Sequence, residues 1–334
     1  MAEKKRLTQL TNIRTLCIFI VVLVHSIILY SSTWDLYSTD VAVPFLDALK
    51  EFMVPVAMPL FFSLSGYLFV FTHSKKRGFV QLLKNKALRL LVPYAGVGLL
   101  FMLPIRLLVG YPGYQGKTAA QLGYNFLMTS DVGHLWFLPA LFFIFLLAEL
   151  ILTVADRLPG LRRAPDLVLG AAAAALYLEG YRISLGYPPV QSAYVNLIWF
   201  AAGYILCVRR ELLQTVYHHA AVKWLLAAAG LLLLGYETLV APMGVLLSVC
   251  MKSLFIANVY GIMPHKTCPV IEKVNRSSFG VYLFHSPLIY ITFANIPNAH
   301  PAIVVFVNLV VFGAAAYGLT TLIRKTKLKF LIGE

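Results

Sequence analysis

The sequence predicts an all-α, polytopic membrane protein, and three observations carry that expectation. Of its 334 residues 60% are hydrophobic and 13% charged, with a mean hydropathy of +0.78, whereas about a quarter of the residues of a soluble globular domain are charged. The apolar residues gather in stretches of roughly twenty, the length a helix needs to cross about 30 Å of hydrocarbon. Lys and Arg, finally, fall in the segments between those stretches, on one side.

Ten spans are expected, at 13–30, 54–72, 90–109, 134–155, 167–181, 193–208, 223–240, 243–262, 278–295 and 302–323, separated by segments rich in Gly, Pro and charge. The first follows a basic opening, "MAEKKRLTQLTNIR", and no small-residue cleavage site closes a short apolar core, so it is expected to stay as a signal anchor. The third is preceded by Lys84, Lys86 and Arg89, and the fourth opens on Trp136 and Phe137, residue types of the membrane–water interface. The fifth, "LVLGAAAAALYLEGY", is Ala-rich and short, and only "VAPM" around Pro242 parts the seventh from the eighth. All of 1–334 is expected to form a single membrane-embedded domain, with no internal repeat visible.

Placing the N-terminus in the cytoplasm puts 23 of the 28 basic residues on the inside, leaving Lys50, Arg106, Lys117, Arg182 and Lys252 elsewhere. That bias predicts both termini inside a cytoplasmic (inner) membrane. It also accounts for the net charge of +14 as a topology signal, so no nucleic-acid partner is expected. Cys17, Cys207, Cys250 and Cys268 have no paired spacing and indicate neither a disulfide framework nor a metal site.

A bilayer disfavours ionisable groups, so those inside spans are candidates for function. Arg14 and His25 stand in the first span. Their eleven-residue separation returns a helix to within about 20° of its starting direction, placing them about 16 Å apart on one stripe. Lys86 and Arg89, three apart, either anchor the chain at the inner leaflet or hold an anionic phosphate ligand there. His134, beside Trp136, is either a solvated interface residue or part of a site. His285 lies about 12 Å into its span, a depth resembling that of His25, and a neutral imidazole in hydrocarbon needs hydrogen-bond partners. In "PLFFSLSGYLFVF" the small residues Ser63, Ser65 and Gly66 either let helices approach closely or touch substrate. Lys252 either snorkels or pairs with a carboxylate such as Glu237.

These stretches together resemble the membrane acyltransferases of acyltransferase family 3, which O-acylate bacterial surface glycans. The resemblance is carried by Arg14 and His25 with ten residues between them, by "FFSLSGYL", by Lys86 and Arg89 before "LLVPY", by "HLWFLPALF" and by "FGVYLFH", and it covers nearly the whole chain. The chain departs from the family pattern at Thr11 and Asn12, where an acidic residue and Gly often stand, and at Lys86, where Arg is frequent. A lysine is a point charge, which implies a monodentate phosphate contact. Many relatives append an extracytoplasmic esterase-like domain. This chain is expected to lack one and to complete transfer within the membrane domain or with a partner.

The resemblance implies a cytosolic acyl-CoA, most simply acetyl-CoA, as donor and a glycan or lipid-linked sugar as acceptor, with no metal. It implies that Lys86, Arg89 and Arg14 bind the donor and that His25 is the general base, the role His fills most often. His285 would assist it, and His134, Trp136, Ser65 and Tyr282 would contact the acceptor. Direct transfer and an acyl-enzyme route through Ser65 or a histidine both stay open. The competing reading from another class is a transporter or flippase of a polysaccharide or lipid-linked intermediate, its path lined by the same polar residues. A structural partner in a synthase complex would leave the buried histidines unexplained.

Overall fold

The computed structural model describes the backbone of residues 2–73 and 78–334, and side chains from Thr8 onward within those ranges. The basic residues expected inside at Lys4, Lys5, Arg6, Lys75, Lys76 and Arg77 lie outside the described side chains. Among the described residues the secondary structure is helical, with no strand. The main helices are α1 (Ala2–Ile27), α2 (Pro44–His73), α3 (Phe79–Leu108), α4 (Ala119–Leu127), α5 (Phe137–Arg157), α6 (Pro165–Gly180), α7 (Pro188–Val208), α8 (Arg210–His218), α9 (Ala220–Leu239), α10 (Val245–Ile262), α11 (Pro269–Asn295) and α12 (Pro301–Arg324).

Eight of the described helical runs are long and apolar enough to cross a membrane: those of α1, α2, α3, α5, α7, α9, α10 and α12. The other two expected spans, those of α6 and α11, are also helical. α6 has 16 residues, a rise of about 24 Å, short of the hydrocarbon thickness. α11 has 27 residues, with Glu272, Lys273 and Arg276 in its first turns and no Asp, Glu, Lys or Arg from Ser277 to Asn295.

Among the helices that begin earlier than the apolar stretches suggested are the second at Pro44 and the sixth at Pro188, where proline is at home in a first turn, and the third at Phe79. The third case corrects the expectation that Lys84, Lys86 and Arg89 precede their helix: they lie inside α3. "QLLKNKALRLL" consists largely of good helix formers with no breaker before Pro93. α3 widens into π-helical turns at Ala87–Leu91 and Gly98–Met102. Each ends just ahead of a proline, Pro93 or Pro104, whose missing N–H frees a carbonyl one turn back.

The chain forms two compact units. Unit 1 comprises Met1–Arg14, Pro55–Lys86 and Ala140–Thr267. Within it α2 and α7 approach to backbone contact. A Cβ at Gly66 would overlap the Phe200 carbonyl, and one at Gly203 would overlap that of Ser63. Close helix approach is therefore what these small residues serve. Asp166 of α6 receives the Arg209 guanidinium at 2.7 and 3.2 Å. His73 meets Glu149 at 2.9 Å. Lys252 reaches Glu237 at 3.5 Å, so it pairs with a carboxylate. Exposed Leu225, Leu232 and Leu246 present apolar surface suited to lipid.

Unit 2 comprises Thr15–Val54, Ala87–Pro139 and Cys268–Glu334. α11 runs through the interior of this unit, with Ser277, Gly280, Leu283, His285 and Phe293 all enclosed. A buried chain of hydrogen bonds ties it to α12 and α1, Thr292 donating to the Asn308 side chain at 2.6 Å and Asn308 to the Ser26 carbonyl at 3.3 Å. α4 opens on a capping box of Thr118 and Gln121. An aromatic cluster of Tyr30, Tyr111, Tyr290 and Phe293 packs the loop segments 28–43 and 109–114 against α11.

Candidate active site

Unit 2 gathers three of the expected residues from three separate segments. His25 stands in the last turn of α1, His134 in the tight turn Gly133–Trp136, and His285 midway along α11. The ring centroids of His25 and His134 each lie 5.1 Å from that of His285, and 6.2 Å from one another. His285 is fully enclosed, His134 is 5% exposed, and His25 is half-buried. The solvated-interface reading of His134 is thereby corrected: neighbouring helices, not water, surround it.

Main-chain carbonyls assign the protons of these rings, since a carbonyl only accepts and the nitrogen facing it carries the hydrogen. His25 Nδ1 donates to the Val21 carbonyl at 2.8 Å. His285 Nδ1 donates to the carbonyls of Val281 and Tyr282 at 3.0 and 2.8 Å. In the neutral ring His285 Nε2 is then a bare lone pair. It lies 3.3 Å from His25 Nδ1, as a second and longer acceptor for that hydrogen. Both Nδ1 atoms of the pair are committed to donation, which leaves the lone pair of His25 on Nε2.

His134 is held by a defect in α11. Pro287 inside the helix has no N–H to give the carbonyl of Leu283, four residues earlier. His134 Nε2 supplies the missing donor at 3.1 Å, and the Tyr282 hydroxyl donates to the His134 carbonyl. With Nε2 protonated, Nδ1 is the acceptor nitrogen, and it is buried without a hydrogen-bond partner. An unsatisfied buried acceptor beside two other imidazoles is a costly arrangement that a ligand hydroxyl would relieve.

Arg106 supports this turn and was not among the residues singled out from the sequence. Its side chain is wholly enclosed. One terminal nitrogen donates to the Asp131 carbonyl at 2.8 Å and the other to the Tyr290 hydroxyl at 3.2 Å. The guanidinium carbon stands 4.1 Å from the centre of the Tyr111 ring and 4.9 Å from that of Tyr290. Gly133, at φ +51°, has room for no Cβ, which would meet the guanidinium. Glycine is needed there for both conformation and space. Burial pushes the Tyr37 phenol up to about 12 and raises those of Tyr111 and Tyr114, so these loop tyrosines offer the cation neutral rings and hydroxyls. The signal in the sequence was a lone Arg within "FMLPIRLLVG", an intramembrane charge of the kind that marks function.

The remaining expected residues divide between the units. Arg14, half-buried, Ser65 and Lys86 belong to unit 1; exposed Arg89 and half-buried Trp136 belong to unit 2. Tyr282 joins the histidine cluster, its ring centroid 5.2 Å from that of His134. Ser65 donates to the Phe61 carbonyl of its own helix at 3.1 Å. The Lys86 ammonium rests 3.3 Å from the centre of the Phe145 ring, a cation–π contact. Asn12, one of the departures from the family pattern, donates to the carbonyls of Pro264 and Lys266 at 2.9 and 2.8 Å, contacts that the glycine often found there has no side chain to make.

A family model, that of acyltransferase family 3, described as an acyltransferase domain, matches residues 7–324. Neither the curated proteins nor the solved structures searched contain a match.

Proposed function

The chain belongs to acyltransferase family 3, and from that premise we propose that it transfers an acyl group, acetyl in the simplest case, from a cytosolic acyl-CoA to a hydroxyl of a surface glycan or lipid-linked sugar. The observation that carries this reading is the orientation of His25. Its Nδ1–H is held by the Val21 carbonyl and His285 Nε2, which leaves Nε2 as the basic nitrogen of the cluster.

In this reading the acceptor hydroxyl gives its proton to His25 Nε2 while its oxygen attacks the thioester carbonyl carbon. The carbon–sulfur bond then breaks, and the departing thiolate takes the proton back from His25 and leaves as coenzyme A. His285 is a positioning residue: its lone pair fixes the His25 tautomer, and it receives part of the positive charge when Nε2 is protonated. That is the work a carboxylate does in a Ser-His-Asp triad. The unpartnered His134 Nδ1 receives a second acceptor hydroxyl, and Trp136 offers a ring face to the sugar. Tyr282 keeps His134 in place. Arg14, Lys86 and Arg89 serve the anionic donor from the cytoplasmic side of the inner membrane, where both termini lie. Because Ser65 already donates to its own helix, direct transfer is favoured over an acyl-serine. Neither the fold nor the family lends weight to a transporter.

The test supplies radiolabelled acetyl-CoA to membranes with and without the protein and follows label into the envelope fractions. Label in a glycan or lipid-linked sugar fraction is expected with the parent chain. It should fall by about 10² to 10⁴ in rate with His25→Ala, the usual share of a general base, while the variant inserts in normal amount. Parent-like labelling by that variant would remove His25 from the chemistry.

A further inference from the structure

Unit 1 holds a cavity of about 290 Å³ that the proposed chemistry leaves without a role. One wall is α8, where Arg210, Gln214 and His218 recur every four residues and so share a face. Gln9 of α1 and His265, from the segment after α10, complete the rim. The floor contains Tyr67 and Tyr260, stacked at 5.1 Å with an interplanar angle of 15°.

Two features define what this cavity accepts. Among the described residues no carboxylate lines it, while an arginine and two histidines do. The acid nearest in sequence, Glu211, is not among the lining residues, and Asp166 is taken by the neighbouring Arg209. Arg210 is exposed and makes no ion pair among the described residues, so its guanidinium is open to an incoming anion. The walls are also fixed in advance. Gln9 donates to the carbonyls of Tyr260 and Met263 at 2.7 and 3.2 Å, Asn12 holds both neighbours of His265, and Tyr217 is anchored on Asn258 at 2.5 Å. Arg210, Gln214 and the two histidines on these fixed walls, beside an aromatic floor, suit a phosphorylated planar ring.

We propose that this cavity receives the phosphorylated adenosine end of acyl-CoA, with Arg210 and His265 on its 3′-phosphate. The inference rests on acyl-CoA being the donor. Its volume lies at the bottom of the range for ligand sites, about 300 to 1,000 Å³, room for a nucleotide and not for the whole coenzyme. Position agrees with that division. Tyr67 belongs to the same turn of α2 as Phe69, whose ring centre is 6.0 Å from the Lys86 ammonium. Lys86 is thus left for the diphosphate and the cavity for the nucleoside.

The full chain in phosphatidylcholine nanodiscs is titrated with coenzyme A and with 3′-dephospho-coenzyme A. Tighter binding of coenzyme A by about tenfold is expected, one charge-assisted contact's worth, and Arg210→Ala or His265→Ala should each erase most of that preference. Both positions are exposed, so the variants keep the fold, and binding of the dephospho form reports that they do. A preference that persists in both variants, or is missing from the parent, overturns the cavity assignment while leaving acyl-CoA as donor. No binding of either compound by the parent overturns the donor reading as well. If phosphatidylglycerol in the nanodiscs abolishes the parent's preference, the site takes lipid phosphates and the nucleotide assignment fails.

Discussion

At the scale of single residues, the site depends on what each polar atom is denied. His25 and His285 spend their Nδ1 hydrogens on carbonyls of their own helices, so each ring presents Nε2 and nothing else. Arg106 is the opposite case, a cation with its hydrogen bonds spread over three partners and its charge over tyrosine rings. A lysine would carry the charge without the fork. Arg106→Lys is therefore expected to lose the simultaneous hold on Asp131 and Tyr290 and to loosen the turn that carries His134. Truncation to Ala, which leaves the Asp131 carbonyl and the Tyr290 hydroxyl without their buried donor while the Asp131 carboxylate keeps Lys117, should cost about 1 to 3 kcal/mol. Thermal unfolding in detergent checks both, with the order parent, Lys, Ala. An Ala variant as stable as the parent would show that the guanidinium is not a support.

Among the elements, α11 is the one in which a local fault becomes a binding feature. A proline inside a helix costs about 3 kcal/mol, yet Pro287 frees the Leu283 carbonyl that orients His134. Pro287→Ala restores the helical N–H and removes the need for the imidazole. It is expected to leave unfolding temperature unchanged or raised, and to slow acyl transfer by about tenfold as His134 loses its fixed direction. Combined with His134→Phe, the proline substitution should add nothing further, because both act through one hydrogen bond. Full additivity of the two in transfer rate would separate Pro287 from His134. The motif "FHSPLI" contains this device in plain view. Pairing its proline with a histidine about 150 positions earlier required the fold, because helix periodicity reaches only one or two turns along the chain.

For the whole molecule, the features legible in sequence are those that act locally or by composition. Apolar length announced membrane helices, and the similar depth of His25 and His285 in their spans is compatible with the contact the two imidazoles make. Helix starts were less legible, as at Phe79, because a charged helical turn at a membrane boundary reads as a loop until its continuity is seen. The burial of His134 was hidden for another reason: its place beside Trp136 looks interfacial, and only Leu283 and Tyr282 of a distant helix enclose it. The distribution of Lys and Arg makes the last prediction. Basic residues at the end of α12 and after it, Arg324, Lys325, Lys327 and Lys329, join those around Arg209 and Arg276 in the set expected on one face. The Arg324 guanidinium also clasps the Glu334 carboxylate at 2.6 Å and the Arg276 carbonyl at 2.8 Å within unit 2, so α11 begins on the face where α12 ends. A single cysteine at exposed Gln214 in a cysteine-free chain should be blocked in intact cells only by a membrane-permeant thiol reagent. A cysteine at exposed Lys117 should react with an impermeant one. Labelling of position 214 from outside would invert the orientation, remove cytosolic acyl-CoA from reach of Arg210 and Lys86, and sink the donor assignment together with the topology.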